Sequence, residues 1–232
     1  MTITLEHRQE IARDTWEFLF SKPTTASALA GQNINMKVPE LLYPDRKGPR
    51  RTFTLASSPQ EERWRIATRI TGSGFKQTLL EMPLGSACEY IGPRGDMTLR
   101  PEAAALVFIA GGIGITPFRS MALAWQETPR QPLTLFYANS DLAGMAYRTL
   151  FSEMDDQRFT FVPTLTGEKQ STWSGETRPL SVGLFKEHVA ELTKPVFYLA
   201  GPPAMVTDLT AALRNNGVPE NQILSESFFG YA

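Results

Sequence analysis

The stretch from Leu106 to Met121, LVFIAGGIGITPFRSM, constrains the fold of this chain more than any other feature. It opens with an unbroken apolar run, Leu106–Ala110, which is typical of a strand buried on both faces of a sheet. Three glycines follow this run: Gly111, Gly112 and Gly114. Thr116 and Pro117 then begin a helix, whose first-turn amides and dipole suit a pyrophosphate that the glycines allow to approach closely. The stretch therefore predicts a nucleotide-binding turn; the competing interpretation is a glycine turn that only packs helix on strand.

From about residue 100 onward, apolar runs alternate with amphipathic segments. The predicted strands are Leu106–Ala110, Leu133–Ala138, Phe159–Pro163, Val196–Leu199 and Ile223–Phe228. The predicted helices are Thr116–Glu127, Met145–Met154, Val182–Leu192 and Ala204–Asn215. This alternation predicts an α/β domain over residues 101–232, with a parallel sheet covered by helices on both faces.

The first hundred residues instead contain short strands separated by turns. The predicted strands are Thr2–Arg13, Thr15–Phe20, Ile34–Val38, Thr52–Leu55, Trp64–Thr71 and Ala87–Ile91. One helix interrupts them at about Ser73–Met82, where Ser73 is a suitable N-cap. Many short strands at this spacing predict an antiparallel β-barrel domain over residues 1–100.

Composition excludes several classes of function. A formal net charge of -1 makes nucleic acid an unsuitable partner. The single cysteine, Cys88, cannot form an intrachain disulfide or a cysteine-ligated iron–sulfur cluster, and its strand position predicts a buried apolar role. Because the two histidines, His7 and His188, lie far apart in sequence, we expect no metal site.

The apolar runs also bear on location. The longest, Ala103–Ile115, is broken by glycines and falls short of the ~20 residues that span a bilayer. The N-terminal residues alternate polar and apolar side chains and lack the apolar core of a signal peptide. We therefore expect no integral membrane segment and a cytoplasmic location.

A second motif, Gly201–Met205, follows the predicted strand Val196–Leu199 and opens another helix. In a doubly wound sheet, ligands bind at the edge formed by the carboxyl ends of the strands. Gly201 would let the backbone pass close to the nicotinamide half of a dinucleotide. Taken alone, this motif fits a simple turn equally well. It supports a nucleotide site only together with the glycine turn at residues 111–114.

Two further motifs lie in the predicted barrel. In the strand around Arg51–Leu55, Arg51 offers a fork suited to phosphate, and Phe53 and Thr54 point to opposite faces. The flat ring of Phe53 and the hydroxyl donor of Thr54 suit a flavin. An ordinary strand without a ligand can have the same residues. In Arg69–Leu80, a helix N-terminus preceded by glycine carries Lys76 in its first turn, which predicts a second anion site or a capped surface helix.

Together these motifs resemble those of the ferredoxin–NADP reductase superfamily, in its compact bacterial form without fused electron-transfer domains. Arg51, Phe53 and Thr54 match the family's Arg-x-Tyr/Phe-Ser/Thr flavin motif. Ser73–Leu80 stands where the family contacts the FAD pyrophosphate, and Gly111–Pro117 matches its nicotinamide-dinucleotide loop.

The resemblance extends to the C-terminus, with one clear departure. Gly201–Met205 matches the family's Cys-Gly-Pro-x-x-Met motif, except that Ala200 replaces the cysteine. Glu226, Phe228 and Tyr231 are similar to the family's C-terminal segment near the flavin. The loss of the thiol could slow hydride transfer or loosen nicotinamide placement, but the hydride chemistry belongs to the cofactors.

The resemblance implies FAD in preference to FMN, NAD(P)H as the electron donor, and no metal. The residues implied in flavin binding are Arg51, Thr52, Phe53, Thr54, Arg69, Ser73, Gly74, Phe75, Lys76, Phe228 and Tyr231. The residues implied in NAD(P)H binding are Gly111, Gly112, Gly114, Thr116, Pro117, Gly201, Pro202, Pro203 and Met205. The residues implied at the centre of hydride transfer are Thr54, Glu226 and Phe228.

The implied function is an FAD-dependent NAD(P)H oxidoreductase that passes electrons to a separate acceptor, such as a ferredoxin-type iron–sulfur protein. Three alternatives stay open: a reductase of a quinone, free flavin or other small molecule; the electron-transfer subunit of a larger complex; and a sensing module without turnover. The coenzyme is also open. Asp141, with Asn139 and Ser140, could read the ribose 2′-hydroxyl of NADH, whereas Arg148 or Arg178 could meet the 2′-phosphate of NADPH.

Overall fold

The structure, a computed structural model, describes residues 1–127, 131–167 and 173–229. The chain divides into two compact units. The first comprises Met1–Leu99 and Thr116–Glu127, and the second comprises Arg100–Ile115 and Thr128–Ala232.

The first unit is built on one antiparallel sheet in the order β4-β3-β6-β1-β2-β5. Its strands are β1 (Thr2–Ala12), β2 (Thr15–Ser21), β3 (Asn33–Lys37), β4 (Arg50–Thr54), β5 (Arg63–Arg69) and β6 (Ala87–Arg94). Beyond the ends of the sheet, the amide of Ala56 donates to the carbonyl of Arg65 (2.7 Å), which links the chain after β4 to β5. The sheet thus curls around its own interior.

The inward-facing residues of these strands form the hydrophobic core of the first unit. Every second residue points inward, so that all six strands contribute buried apolar side chains to one cluster. Trp64 of β5 and Tyr90 of β6 are nearly inaccessible, and their rings meet edge to face at 5.0 Å. Cys88 is also fully buried, which confirms the apolar role predicted for it. Burial raises the pKa of its thiol to about 12.

Two helices belong to the first unit. The first, α1 (Gly74–Glu81), begins after the N-cap Ser73, whose hydroxyl accepts from the amide of Lys76, as the sequence predicts. The second, α2 (Ile115–Glu127), lies in this unit from Thr116 onward. Arg119 of α2 is buried and donates to both carboxylate oxygens of Glu61 (2.8 and 3.0 Å) and to the carbonyl of Ala56 (2.7 Å). These bonds fasten α2 to the loop that follows β4.

The second unit contains a parallel sheet in the order β11-β10-β7-β8-β9. Its strands are β7 (Leu106–Gly111), β8 (Leu133–Asn139), β9 (Phe159–Leu165), β10 (Val196–Gly201) and β11 (Ile223–Ser227). Its helices are α3 (Arg148–Ser152), α4 (Val182–His188) and α5 (Pro203–Asn215). The central strands β7 and β10 are buried at every residue, as expected for parallel strands covered on both faces.

The predicted fold class is confirmed: an antiparallel six-stranded part precedes a parallel five-stranded part. The predicted helices Met145–Met154 and Val182–Leu192 are shorter in the structure, at Arg148–Ser152 and Val182–His188. Tyr147 has a left-handed backbone (φ 58°), which prevents α3 from starting earlier. The boundary predicted near residue 100 stays a prediction, since the compact units place Thr116–Glu127 with the first.

None of the helices in the described part of the chain is both long and apolar enough to cross a membrane. Within the same residues, no group of three or more histidine, cysteine, aspartate or glutamate side chains could hold a metal ion.

Candidate functional site

The glycine turn after β7 lies at the carboxyl edge of the parallel sheet, and its glycines have different roles. A Cβ on Gly114 would lie 2.1 Å from the carbonyl oxygen of Ala200, and one on Gly111 would lie 2.6 Å from Sδ of Met205. Both positions require glycine because the turn packs directly on the end of β10 and the start of α5. The packing interpretation therefore accounts for these two glycines.

Gly112 differs from its neighbours. Its φ of +52° lies in the left-handed region, and no heavy atom of the described residues comes within 4 Å of a Cβ placed there. A 3-10 turn over Gly112–Gly114 follows, and α2 begins at Ile115, with Thr116 and Pro117 buried in its first turn. Gly112 thus leaves an open approach to the backbone at a helix start, which is the geometry that a phosphate requires.

The second motif meets the first at this edge. A Cβ on Gly201 would lie 2.6 Å from Cε of Met205 and 3.1 Å from Cα of Gly111. Pro202 and Pro203 then open α5, with Pro203 as its first residue. The structure therefore brings Gly111, Gly114, Gly201, Pro202 and Met205 together within the second unit.

The C-terminal strand adds two predicted residues to the same edge. Strand β11 runs parallel to β10, with Glu226 opposite Ala200. The amide of Phe228 donates to the carbonyl of Gly201 (2.9 Å). Glu226 and Phe228 thus lie beside the second motif, and their roles in hydride transfer stay predictions. Tyr231 lies outside the described residues.

The end of β8 carries the polar residues considered for coenzyme choice. The carbonyl of Asn139 accepts from the amide of Thr166 (2.9 Å), while the buried Asn139 Nδ2 has no hydrogen-bond partner among the described residues. The Oδ1 of Asp141 accepts from the amide of Gly144 (2.9 Å), which orders the turn. A buried amide donor and a carboxylate therefore stand at this strand end.

Arg178 is already engaged by two carboxylates. Its guanidinium bonds Glu187 through Nη1 (2.7 Å) and Nη2 (2.8 Å), and Glu176 through Nε (3.0 Å) and Nη2 (2.6 Å). The hydrogen bonds that Arg178 donates to Glu187 and then to Glu176 raise the pKa of Arg178, and those to Glu176 lower the pKa of that carboxyl to about 2. A 2′-phosphate would have to compete with both carboxylates for this side chain, whereas Arg148 is exposed at the start of α3.

In the first unit, Arg51 and the start of α1 converge on a carboxylate that the sequence did not single out. The Nη2 of Arg51 bonds Oδ1 of Asp45 (2.5 Å). The hydroxyl of Ser73 (2.8 Å) and the amide of Phe75 (2.9 Å) donate to Oδ2 of Asp45. Burial opposes the ionisation of Asp45, but the Phe75 and Lys47 amides, the Ser73 hydroxyl and the Arg51 guanidinium outweigh it and hold its pKa far below the usual range.

Lys76 lies beside this cluster. It is only 7% exposed, and its Nζ donates to the hydroxyl of Thr71 (3.4 Å). Burial first, and then the positive charges of Arg51, Arg69 and Lys47, lower the pKa of Lys76 to about 8. Arg69 itself ends β5. Several cations thus lie near Lys76 at the start of α1.

The residues of the predicted flavin strand differ in their exposure to solvent. Phe53 is 7% exposed and packs in the core of the first unit, with its ring 5.8 Å from that of Phe75, so that it offers little surface for stacking. Thr52 is exposed and its hydroxyl accepts from Asn35 (3.2 Å). The buried hydroxyl of Thr54 has no partner in the described part of the chain, and an orphaned donor of this kind fits a ligand edge.

Asp45 is the residue that sequence reasoning missed. The local signal was present, because Asp45 begins a turn in which its Oδ1 also accepts from the amide of Lys47 (2.9 Å). That signal predicts a loop and says nothing of Arg51, Ser73 and Phe75, which reach Asp45 only through the folded chain.

Comparisons with known proteins agree with this architecture. The family described as the oxidoreductase NAD-binding domain matches residues 108–211, which include the glycine turn and the second motif. The chain is 30% identical to the phthalate dioxygenase reductase of Burkholderia cepacia over 154 residues, 63% of this chain and 46% of that protein. It is 29% identical to the phenol hydroxylase P5 protein of Acinetobacter pittii over 216 residues, 88% of this chain and 58% of that protein. The chain thus spans about half the length of these relatives.

Solved structures extend the likeness to the whole chain. The cytochrome P450 reductase of Amycolatopsis is 26% identical, with a TM-score of 0.82 over 98% of this chain and 69% of that one. The ferredoxin NADP+ reductase of Neisseria gonorrhoeae shares the fold, with a TM-score of 0.82 over 99% of this chain and 98% of that one at 19% identity. The two-part fold, the matched nucleotide domain and these relatives agree: the chain is similar to FAD- and NAD-binding oxidoreductases of the ferredoxin reductase type.

Proposed function

We propose that this chain is an FAD-dependent NAD(P)H oxidoreductase that delivers electrons to a separate acceptor. The observation that carries the proposal is the meeting of the two turns, Gly111–Gly114 and Gly201–Met205, at the carboxyl edge of the parallel sheet. Ligands of open α/β sheets bind at such an edge, and Gly112 leaves the backbone open there.

When bound, FAD and NAD(P)H would supply the redox chemistry, which is hydride transfer between them followed by electron delivery to the acceptor. The chain's own residues bind and orient. Gly112 of the second unit would hold the dinucleotide pyrophosphate through its open backbone, and Thr116 and Pro117 belong to the proposed set by the sequence motif. Gly201, Pro202, Pro203 and Met205 would shape the nicotinamide slot, with Glu226 and Phe228 beside it.

In the first unit, the fit to a flavin rests on two features. The orphaned hydroxyl of Thr54 can donate to the polar edge of the ring system. The cations around the start of α1, Arg51, Arg69 and Lys76, match the negative charge of the flavin phosphates. Thr52, Phe53, Ser73, Gly74 and Phe75 complete the proposed flavin set, and Tyr231 belongs to it by sequence alone.

For the acceptor, we propose a ferredoxin-type iron–sulfur protein, supported by one relative named as a phthalate dioxygenase reductase and another named as a ferredoxin–NAD(P)+ reductase. A quinone, a free flavin or a place in a larger complex are the alternatives. We also propose a cytoplasmic location, with which a single unpaired cysteine agrees.

For the donor, we propose NADH in preference to NADPH. Of the two cations considered for a 2′-phosphate, Arg148 and Arg178, the second is held by Glu176 and Glu187. The carboxylate of Asp141 stands at the end of β8, where it would repel a phosphate and accept from a ribose hydroxyl.

The test is spectroscopic. We expect the purified chain, reconstituted with FAD, to bind one flavin, whose visible absorbance bleaches when NADH is added without oxygen. NADPH should bleach it at least roughly tenfold more slowly, a difference of ~1.4 kcal/mol in the barrier. Thr54→Ala should slow the bleaching and Thr54→Ser should preserve it. A chain that binds no flavin, or whose flavin stays oxidised with both nucleotides, would contradict the proposal.

A further inference from the structure

The carboxylate of Asp45 fills a pocket of hydrogen-bond donors. Its Oδ1 accepts from Nη2 of Arg51 (2.5 Å) and the amide of Lys47 (2.9 Å). Its Oδ2 accepts from the hydroxyl of Ser73 (2.8 Å) and the amide of Phe75 (2.9 Å). The Asp45 side chain is only 7% exposed. A guanidinium, a hydroxyl and two backbone amides around one anion are the donors that a phosphate group takes.

Three of the four residues that supply these donors, Arg51, Ser73 and Phe75, belong to the proposed flavin set. A hydrogen on each donor can serve one strong acceptor at a time. The Asp45 carboxylate and a flavin phosphate therefore cannot both use this set. We propose that Asp45 competes with the phosphate of the flavin for these donors and so sets the affinity for phosphate-bearing flavins. The inference rests on the proposed flavin-binding function.

The local charge supports such a competition. Lys76 is buried, and Arg51, Arg69 and Lys47 all act on it as neighbouring positive charges. A phosphate or diphosphate would neutralise this positive charge further than Asp45 does.

The surrounding backbone limits how the exchange can occur. The amide of Leu42 donates to the hydroxyl of Thr78 (3.0 Å), and the amide of Gly48 donates to the carbonyl of Asp45 (3.0 Å). A Cβ on Gly74 would lie 2.3 Å from the carbonyl oxygen of Pro44, so that the loop rests directly on α1. Because the loop is fastened on both sides of Asp45, the exchange requires rotation of its side chain while the backbone stays in place.

The test compares flavins that differ only in phosphate. Wild type, Asp45→Ala, Asp45→Asn and the control Glu89→Gln are titrated with riboflavin, FMN and FAD by flavin fluorescence. Glu89 is an exposed carboxylate of the same unit, paired with Lys37 and Arg50. We expect Asp45→Ala to bind FMN and FAD about tenfold more tightly than wild type, riboflavin affinity to stay unchanged, and Glu89→Gln to match wild type. Asp45→Asn should lie between Asp45→Ala and wild type.

The outcomes separate the two claims. If wild type binds FAD but Asp45→Ala binds it no more tightly, or more weakly, the competition is wrong and the proposed function stands. If none of the proteins binds any flavin, both are wrong. Should Asp45→Ala not fold, the comparison is made with Asp45→Asn by thermal shift in inorganic pyrophosphate. The competition then predicts a larger rise in Tm for Asp45→Asn than for wild type, and an equal or smaller rise would overturn it.

Discussion

Two helix starts in this chain carry the same sequence signal and present different surfaces. The start of α1 and the turn before α2 both combine glycine with first-turn amides. At α1, the carboxylate of Asp45, 30 positions before Phe75, takes the amide of Phe75 and the hydroxyl of Ser73. At the turn before α2, Gly112 faces open space among the described residues. A helix start predicted as an anion site can therefore be satisfied from within the protein.

The glycines repeat this contrast. Gly74 at α1 is pressed against the carbonyl oxygens of Pro44 and Tyr43, at 2.3 and 2.7 Å from an added Cβ. Gly112 has no such neighbour and is needed for its left-handed backbone. Gly74 is thus required because a side chain would collide with the neighbouring backbone. Gly112 is required because its backbone is left-handed, and it leaves that backbone accessible.

The largest effect is expected where the open turn packs on β10. Gly114→Ala places its Cβ 2.1 Å from the carbonyl oxygen of Ala200, a contact with rigid backbone. We expect a loss of about 3–5 kcal/mol in the free energy of unfolding, measured by denaturant titration. The control, Gly183→Ala, meets only the Ser181 hydroxyl at 3.7 Å and should cost less than ~1 kcal/mol. Equal effects at the two positions would remove the packing role assigned to Gly114.

A smaller and more selective effect is expected at Gly112. Gly112→Ala keeps the space open but strains the left-handed backbone by about 1–2 kcal/mol. We expect this variant to raise the KM for NADH several-fold and to leave FAD affinity unchanged. Steady-state kinetics and flavin titration measure the two quantities separately. A variant with unaltered KM would show that the open side of this turn faces no nucleotide.

The smallest effect is a pH dependence at α1. The pKa of Lys76 is about 8 against an ordinary 10.5, so its charge is present below pH 8 and lost as the pH rises through that value. We therefore expect the affinity for FAD, but not for riboflavin, to fall as the pH rises through about 8. Lys76→Met should abolish this difference. Parallel FAD and riboflavin profiles in wild type would contradict a role for Lys76 beside the phosphate.

The same shift has a consequence for stability without flavin. Between pH 8 and 10.5 the unfolded chain binds more protons at Lys76 than the folded chain does, so this residue makes the folded state more stable as the pH rises. The Lys76→Met variant, unfolded in denaturant over the same pH range, should lack that contribution.

For the described residues, the sequence predicted all eleven strands along the chain, with an antiparallel first set and a parallel second set, because inward-facing positions and buried runs repeat with local periods. It predicted Ser73 as an N-cap for the same local reason. It predicted too long a helix for α3, since hydrophobic periodicity does not reveal that the backbone of Tyr147 is left-handed. It could not predict contacts that only the tertiary fold makes. The amide of Phe75 bonds Asp45, 30 positions away, and Arg178 bonds Glu187, 9 positions away.

Rapid mixing of the FAD-loaded chain with NADH, followed at the visible flavin absorbance without oxygen, tests the central claim most directly. The account predicts a single saturating loss of absorbance with increasing NADH, slowed in Thr54→Ala and shifted to higher NADH in Gly112→Ala. Flavin that binds to the chain but remains oxidised at saturating NADH and NADPH would contradict it.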